Sequence, residues 1–289
     1  MRQAATVSEA IQARLGELTR AERQLADAIL DNYPVSGLGS ITELAERASV
    51  STPTVARMVQ KLGFSGYPEF QAALRDELKA VVSNPIIKRE TWVHDVPEEH
   101  VLNRYALATI DNVRRTLEHI DPTQFDAFCR AVADTGRRLH IAGGRLSGTL
   151  AHYFFLHLQM IRPDVFLVPS QASAWPHHML DIGEGDMIIA FDVRRYESST
   201  LMMAEMAHER GADVVLFTDQ WRSPIDRVAK YSFAARIAVP SAWDSGMATL
   251  LLAECAIAAV QELRWDSVKK RTDELEAAFD RTRLFRKFT

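Results

Sequence analysis

Two adjacent glycines and a nearby serine are candidates for an anion-binding loop. Gly143 and Gly144 end the apolar run 138–142, and Ser147 stands at the start of a helical pattern. Free amide N–H groups at a helix N-terminus attract anions, and a serine hydroxyl adds another donor. The segment holds neither a Walker A loop nor a complete G-x-G-x-x-G, so a tight turn that needs glycine only for its geometry is the alternative. With Arg145 between them, these residues are candidate ligand residues.

Two adjacent arginines form a second candidate site. Arg194 and Arg195 follow the apolar run Met187–Phe191, and open parallel sheets bind ligands at the carboxyl ends of their strands. Guanidinium groups bind carboxylates and phosphates through charge-assisted hydrogen bonds. Asp192, a further candidate ligand residue, and Glu197 flank the arginines. Their carboxylates leave a second interpretation open, which is an ion-pair network within the chain or between subunits.

Polar residues also follow the later predicted strands. Asp219 ends one of these strands, and Ser241 and Asp244 follow the next. The carboxyl ends of parallel strands lie at one edge of a sheet, so these side chains are expected to converge with the two loops above. Ser241 and Asp244 complete the candidate ligand residues, and this convergence is a stronger argument than any single motif.

A pair of short helices is the third candidate feature. Ser40 caps the first helix and Glu43 closes its capping box, while Ser51 caps the second helix and Pro53 sits in its first turn. In a helix-turn-helix that reads DNA, the second helix enters the major groove by its N-terminal turn. The candidate DNA-binding residues on its outward face are Ser51, Thr52, Thr54, Arg57 and Lys61.

The distribution of charge favours DNA binding at this helix pair. The chain has 34 Lys+Arg and 38 Asp+Glu, a formal net charge of −4, which gives no general attraction to nucleic acid. From Arg47 to Pro68, however, there are three cations and no acidic residue. Local positive charge decides nucleic-acid affinity more than the total does. A helical pair whose polar face is merely solvated is the alternative.

Other reactive residue types do not form a recognisable site. The adjacent pair His177 and His178 lacks zinc spacing, and no catalytic arrangement of Ser, His, Asp or Cys can be argued. Cys129 and Cys255 are too few for a disulfide framework or a four-ligand zinc site, so a cytoplasmic location is expected. The apolar stretch Met247–Val260 is too short to span a bilayer. We therefore expect no catalytic residue, metal, cofactor or membrane partner.

The pattern of elements predicts two domains in 289 residues. Residues 1–82 have helical periodicity throughout, 83–97 form the expected linker around Ser83-Asn84-Pro85, and 98–289 alternate strands with helices. Such alternation predicts an α/β domain with a mostly parallel five-stranded sheet, doubly wound. The predicted strands are 138–142, 165–168, 187–191, 213–218 and 231–239. The predicted helices of this domain are 98–119, 122–133, 146–161, 198–210 and 246–263.

Several short motifs carry a resemblance to one family. They are Leu18-Thr-Arg-Ala-Glu-Arg23, Ser40-Ile-Thr-Glu-Leu-Ala45, Ser51-Thr-Pro-Thr-Val55 and Lys61-Leu-Gly-Phe-Ser-Gly-Tyr67. In this order they resemble the N-terminal domain of RpiR-type bacterial transcriptional regulators, and the later part of the chain is similar to their sugar isomerase (SIS) domain. The resemblance implies a dimeric or tetrameric regulator whose SIS domain senses a phosphosugar and controls DNA binding.

The two ligand loops depart from the pattern of this family. In its first loop, G-x-G-x-S, Gly143 and Ser147 match, whereas Arg145 replaces the second glycine. The second loop of the family is Ser-x-Ser-Gly-x-Thr, and those positions here carry Asp192, Arg194, Arg195 and Glu197. The expected effector is therefore a small anionic sugar metabolite, of which a phosphosugar is one example.

The leading hypothesis is a regulator that binds a palindromic operator in double-stranded DNA. It would form a homodimer or tetramer through the C-terminal domain, because helices 98–119 and 246–263 offer more apolar surface than their own sheet needs. Two alternatives remain. One is an isomerase-type enzyme for sugar phosphates with an appended helical domain, and the other is a regulator whose SIS domain only dimerises.

Overall fold

The computed structural model describes residues 5–93, 100–171, 173–283 and 285. In the N-terminal part, up to residue 82, all regular elements are helices. Its helices are α1 Val7–Gln12, α2 Arg20–Leu30, α3 Ile41–Arg47, α4 Thr52–Lys61 and α5 Tyr67–Val82. The predicted capping boxes at Thr19 and Ser40 are confirmed, since each hydroxyl accepts the amide three residues on while the glutamate there binds back. Leu25, Leu44 and Phe70 are among the residues that form its core.

The predicted linker contains a helix. Helix α6, Pro85–Val93, begins where Asn84 Oδ1 accepts the amides of Ile86 and Ile87. Asparagine is a preferred N-cap and proline is tolerated in the first turn, so Ser83-Asn84-Pro85 starts a helix here instead of extending the chain. The remainder of the predicted linker, 94–99, lies outside the described residues.

The C-terminal domain alternates strands and helices as predicted, with boundaries that differ by a few residues. Its elements are α7 Val101–Leu117, α8 Pro122–Ala133, β1 Leu139–Gly143, α9 Ser147–Ile161, β2 Val165–Leu167, α10 Trp175–His178, β3 Met187–Phe191, α11 Ser198–Glu209, β4 Asp213–Asp219, β5 Tyr231–Ala235, α12 Met247–Leu263 and α13 Trp265–Thr282. Helices α10 and α13 were not predicted. Strand β5 ends before Val239 because the amides of Arg236 and Ile237 bind the side chains of Thr116 and Gln220.

The five strands form one parallel sheet in the order β2-β1-β3-β4-β5, which confirms the predicted fold class. Phe128, Phe154 and Leu252 bring α8, α9 and α12 onto one face, and Met203 of α11 packs on the other. The chain leaves β1 toward one side of the sheet and β3 toward the other. This switch opens a crevice at the carboxyl ends of the strands, where doubly wound sheets bind ligands.

Candidate functional site

A cavity of about 800 Å³ occupies this crevice. Seven of the predicted ligand residues line it, namely Gly144, Arg145, Ser147, Asp192, Arg194, Arg195 and Asp244. Gly143 and Ser241 were predicted with them but are not among its lining residues. Ser83 and Pro85, from the segment that enters α6, also line the cavity. Sequence reasoning missed both because nothing local relates them to the sheet.

The glycine loop is closed by its own contacts. A Cβ on Gly143 would lie 2.8 Å from the backbone of Gly148, so glycine is required here by close approach of the chain. The Ser147 hydroxyl donates to the carbonyl of Phe191 at 2.7 Å and accepts the Gly144 amide at 3.0 Å. Ser147 therefore joins the glycine loop to β3. These contacts agree with the interpretation of this segment as a tight turn that needs glycine for its geometry.

The carboxylate of Glu197 lies against the same loop. Its Oε1 accepts the Arg145 amide at 2.6 Å, and a Cβ on Gly144 would lie 2.8 Å from that oxygen. The loop amide just before α9 thus already binds an anion that belongs to the protein.

Arg194 is the centre of a polar network at the cavity wall. Its side chain is 7% exposed, with Nη2 donating to Ser83 Oγ at 2.8 Å and Nε 3.5 Å from Asp244 Oδ2. The guanidinium also lies 5.4 Å from the centre of the Trp221 ring. Arg194 has the internal ion pair that the sequence left open, although with Asp244 instead of a flanking acid. Arg195 is exposed, and the described residues include no ion-pair partner for it.

Two buried carboxyl groups hold the loop after β3. Asp192 accepts from the Ser223 hydroxyl, and Asp219 accepts from the Tyr196 hydroxyl at 2.8 Å and the Arg194 amide at 2.6 Å. Burial raises the pKa of each to about 6, although these hydrogen bonds act in the opposite direction. Asp219 therefore positions Arg194, and Asp192 joins the loop to Ser223.

Lys88 of α6 is a further charged group beside the cavity. Its side chain is 6% exposed, and Nζ lies 2.6 Å from Asp244 Oδ1. Burial lowers the pKa of Lys88, while Asp244 acts to raise it. Asp244 is thus shared between Lys88 of the predicted linker and Arg194 of the sheet domain. Sequence reasoning missed this contact, because the two partners are 156 positions apart.

The structure changes the outward face predicted for α4. Ser51 caps the helix and is exposed, as is Arg57, whereas Thr54 is only 8% exposed. The Thr54 hydroxyl lies 2.9 Å from that of Ser51 and accepts from Arg57 Nη2 at 3.3 Å. Buried Thr54 therefore holds the exposed side chains of Ser51 and Arg57 in place through hydrogen bonds. Thr52 is partly exposed beside them.

Lys61 was also expected on the outward face, and the structure pairs it internally. Its Nζ lies 2.7 Å from Glu22 Oε2 and 3.3 Å from the carbonyl of Glu17. Burial opposes the charge on Glu22, but the hydrogen bonds from Lys61 and Thr19 outweigh it and lower the pKa of Glu22. Lys61 therefore joins α4 to α2 and leaves Arg57 as the exposed cation of the predicted DNA-binding residues.

A second buried ion pair connects the two domains. Arg236, which is 2% exposed, donates from Nε to Oε1 of Glu9 in α1 at 2.8 Å and also from Nη2 to Glu9. Nearby, Glu77 of α5 accepts from the Tyr33 hydroxyl and from the Val7 amide. Burial raises the pKa of Glu77 to about 7, and the charge of Glu9 acts in the same direction.

These two domains define a helix-turn-helix protein with an α/β domain of the SIS type. Residues 5–81 match the family model of the helix-turn-helix domain, rpiR family, and residues 134–259 match that of the SIS domain. The chain thus joins a helix-turn-helix domain of the rpiR family to a SIS domain.

Known regulators are similar over most of the chain. The transcriptional regulator HexR of Pseudomonas aeruginosa is 28% identical over 216 residues, which is 73% of this chain and 72% of HexR. RpiR of Escherichia coli K12 is 23% identical over 74% of this chain and 71% of its own length.

Within the described residues, no helix combines the length and apolar character needed to cross a membrane.

Two solved structures share the fold. The Vibrio vulnificus NanR protein complexed with ManNAc-6P has a TM-score of 0.55 at 18% identity and covers 96% of this chain and 99% of its own. The sugar isomerase domain of an RpiR transcription factor from Sphaerobacter thermophilus has a TM-score of 0.56 at 18% identity, over 62% of this chain and 99% of its own.

Proposed function

We propose that this regulator senses a small anionic sugar metabolite in the SIS crevice and that binding controls its affinity for operator DNA in the cytoplasm. The observation that carries this proposal is the composition of the cavity wall. Arg194 and Asp244 of the sheet domain hold Ser83 and Lys88, which flank the start of the helix after the DNA-binding domain. A ligand anion bound at Arg195 would also attract the adjacent Arg194, compete with these contacts and so change how α6 is held. NanR, which shares the fold, was solved with a sugar phosphate, in keeping with this ligand class.

The effector is expected to raise the thermal stability of the protein. A ligand that binds only the folded state adds ~2.7 kcal/mol at a hundred times its dissociation constant, which is visible as a melting shift. A panel of phosphosugars and sugar acids should contain a compound that shifts the wild type. The same compound should shift Arg195→Ala less, because Arg195 is exposed at the cavity, and should shift the control Arg281→Ala on α13 normally. Equal shifts in all three proteins would contradict this assignment.

The alternatives give different results in the same panel. If no compound shifts the wild type while Arg194→Ala weakens the oligomer, the SIS domain only assembles the protein. An isomerase would interconvert aldose and ketose phosphates, and we expect no such conversion, because the sequence pattern suggests no acid/base pair for it.

Arg57→Ala is expected to weaken specific DNA binding by roughly 1–3 kcal/mol if Arg57 contacts a base in bidentate fashion. Arg57 is the exposed cation on α4, and Thr54 orients it. Binding of a genomically selected DNA should be measured by anisotropy over a range of salt, where counterion release makes affinity fall steeply. If Arg57 instead contacts a phosphate, the variant should lose affinity about equally for all DNA sequences, and its affinity should depend less steeply on salt. Arg281→Ala removes the same charge on α13 of the other domain, so an equal loss in both variants would refute the contact.

We further propose that the C-terminal domain forms a homodimer or tetramer, with α7 at the interface. In α12 the exposed large hydrophobic side chains, Met247 and Leu263, lie at the two ends of the helix. Helix α7, in contrast, exposes Leu102, Leu107 and Ile110. A C₂ dimer would match a palindrome with half-sites about one helical turn, roughly 34 Å, or a multiple of it apart.

The interface should be sensitive to a charge on α7. Ile110→Asp is expected to sediment at a lower mass than the wild type, because a carboxylate is costly in a dry interface. Val35→Asp, an equally drastic change at an exposed position of the N-terminal domain, serves as the control. A wild type that is monomeric at micromolar concentration would contradict the proposal.

A further inference from the structure

Glu197 occupies the position where the loop after β1 would receive an anion from a ligand. One face of its side chain lies against this loop, with Oε1 on the Arg145 amide at 2.6 Å. The backbone holds it from the other side, since the Glu197 amide donates to Asp192 Oδ1 at 3.4 Å. Glu197 also lines the cavity, so the carboxylate faces the space a ligand would fill.

We propose that Glu197 is the resident anion of this pocket and determines which ligands bind. Its carboxylate excludes a ligand phosphate from the loop amides. The effector then presents a hydroxyl group to Glu197 and its own anionic group to the guanidiniums of Arg145 and Arg195. The second part of this assignment rests on the proposed function, whereas the exclusion of phosphate does not.

The charges around Glu197 explain the exclusion. A carboxylate and a phosphate within hydrogen-bond reach of one amide repel each other, and the surrounding protein screens this repulsion less than water does. The buried carboxyl group of Asp192 lies beside Glu197, so it adds to the repulsion of a further anion at this position. A sugar hydroxyl can instead donate to a carboxylate, in a charge-assisted hydrogen bond.

The outer part of the pocket fits the rest of such a ligand. Arg145 and Arg195 are exposed and line the cavity, and in the ranges that the structure describes neither has an ion-pair partner. Trp243 lines the cavity as well, with 57% of its surface exposed, and offers a flat apolar ring to the carbon face of a sugar. The arrangement separates a hydroxyl-binding inner end from an anion-binding outer end.

Inorganic phosphate is the probe that tests the exclusion on the full-length protein. Calorimetric titrations at constant ionic strength should compare the wild type with Glu197→Ala, which empties the loop, and Glu197→Gln, which removes the charge but keeps the loop filled. We expect Glu197→Ala to bind phosphate at least tenfold more tightly than the wild type, and Glu197→Gln to gain a smaller but measurable factor, because it removes the repulsion and still fills the loop. Glu209→Gln removes the same charge at the opposite end of α11 and should behave as the wild type.

Three results would overturn the proposal. They are equal phosphate affinity in the wild type and Glu197→Ala, no gain in Glu197→Gln, and a gain in Glu209→Gln equal to that in Glu197→Ala. Circular dichroism of each variant verifies the fold, and the glutamine variant keeps the test decisive if the alanine variant is unstable.

Any sugar anion found in the thermal panel tests the second part. It should bind Glu197→Gln at least fivefold more weakly than the wild type, because its hydroxyl loses a charged partner while the loop stays filled. Tighter binding to Glu197→Gln would contradict the inference. A panel without any hit would count against the proposed sensing function and leave the phosphate result unaffected, so the two failures are distinguishable.

Discussion

Replacing Arg236 with methionine is expected to destabilise the folded protein by about 3 kcal/mol and to loosen the N-terminal domain first. Removing one partner of a buried ion pair leaves the other charge uncompensated, which costs about 3–5 kcal/mol. Here the charge left behind is Glu9, next to Glu77, with Arg115 as a cation that remains near Glu9.

The composition of the chain allows the two domains to be followed separately. All five tryptophans lie at position 92 or later, so tryptophan fluorescence reports on the C-terminal part, while circular dichroism also reports the N-terminal helices. In urea, the dichroism transition of Arg236→Met should move to lower concentration more than the fluorescence transition does.

A matched control separates this effect from the loss of any cation. Lys230→Met breaks the exposed pair with Asp213 and should cost less than about 1 kcal/mol. Glu9→Gln should cost less than Arg236→Met, since it leaves a buried cation close to Glu77. If Arg236→Met unfolds like Lys230→Met, the ion pair does not hold the domains together.

Stability is expected to fall as the pH rises from about 4.5 to 7, and Glu77→Gln should remove much of this fall. Burial raises the pKa of Glu77 from 4.5 to about 7, so in this interval the folded protein keeps a proton that the unfolded chain releases. The unfolded state therefore binds fewer protons, and the stability that is fully present below pH 4.5 is lost up to about pH 7. The raised pKa corresponds to roughly 3 kcal/mol.

Glutamine keeps an oxygen acceptor but cannot titrate. Glu77→Gln should match the wild type near pH 4.5 and exceed it in unfolding free energy at pH 8. Asp192 and Asp219 titrate in the same direction up to about pH 6, so the difference between the two proteins is the quantity to measure. The exposed control Glu46→Gln should follow the wild type. Parallel pH profiles of wild type and Glu77→Gln would show that Glu77 does not carry this dependence.

Local features of the sequence predicted much of the architecture. Helix starts at Thr19, Ser40 and Ser51 were recognised because a capping side chain reaches only the next turn of its own chain. The five strands were recognised from short apolar runs at regular spacing, and their parallel order follows from the helices between them. The candidate ligand loops were found because they follow these strands.

The partners of the charged side chains were decided only by the tertiary structure. Arg236 meets Glu9 across 227 positions, and Lys88 meets Asp244 across 156. Lys61 was expected at the surface and instead binds Glu22 of another helix. A long charged side chain pairs with the opposite charge that tertiary packing brings within a few ångströms of it. The sequence does not contain these distances. The sequence by itself therefore determined most of the elements and which loops meet, while packing decided which charged side chains are paired within the protein and which remain exposed.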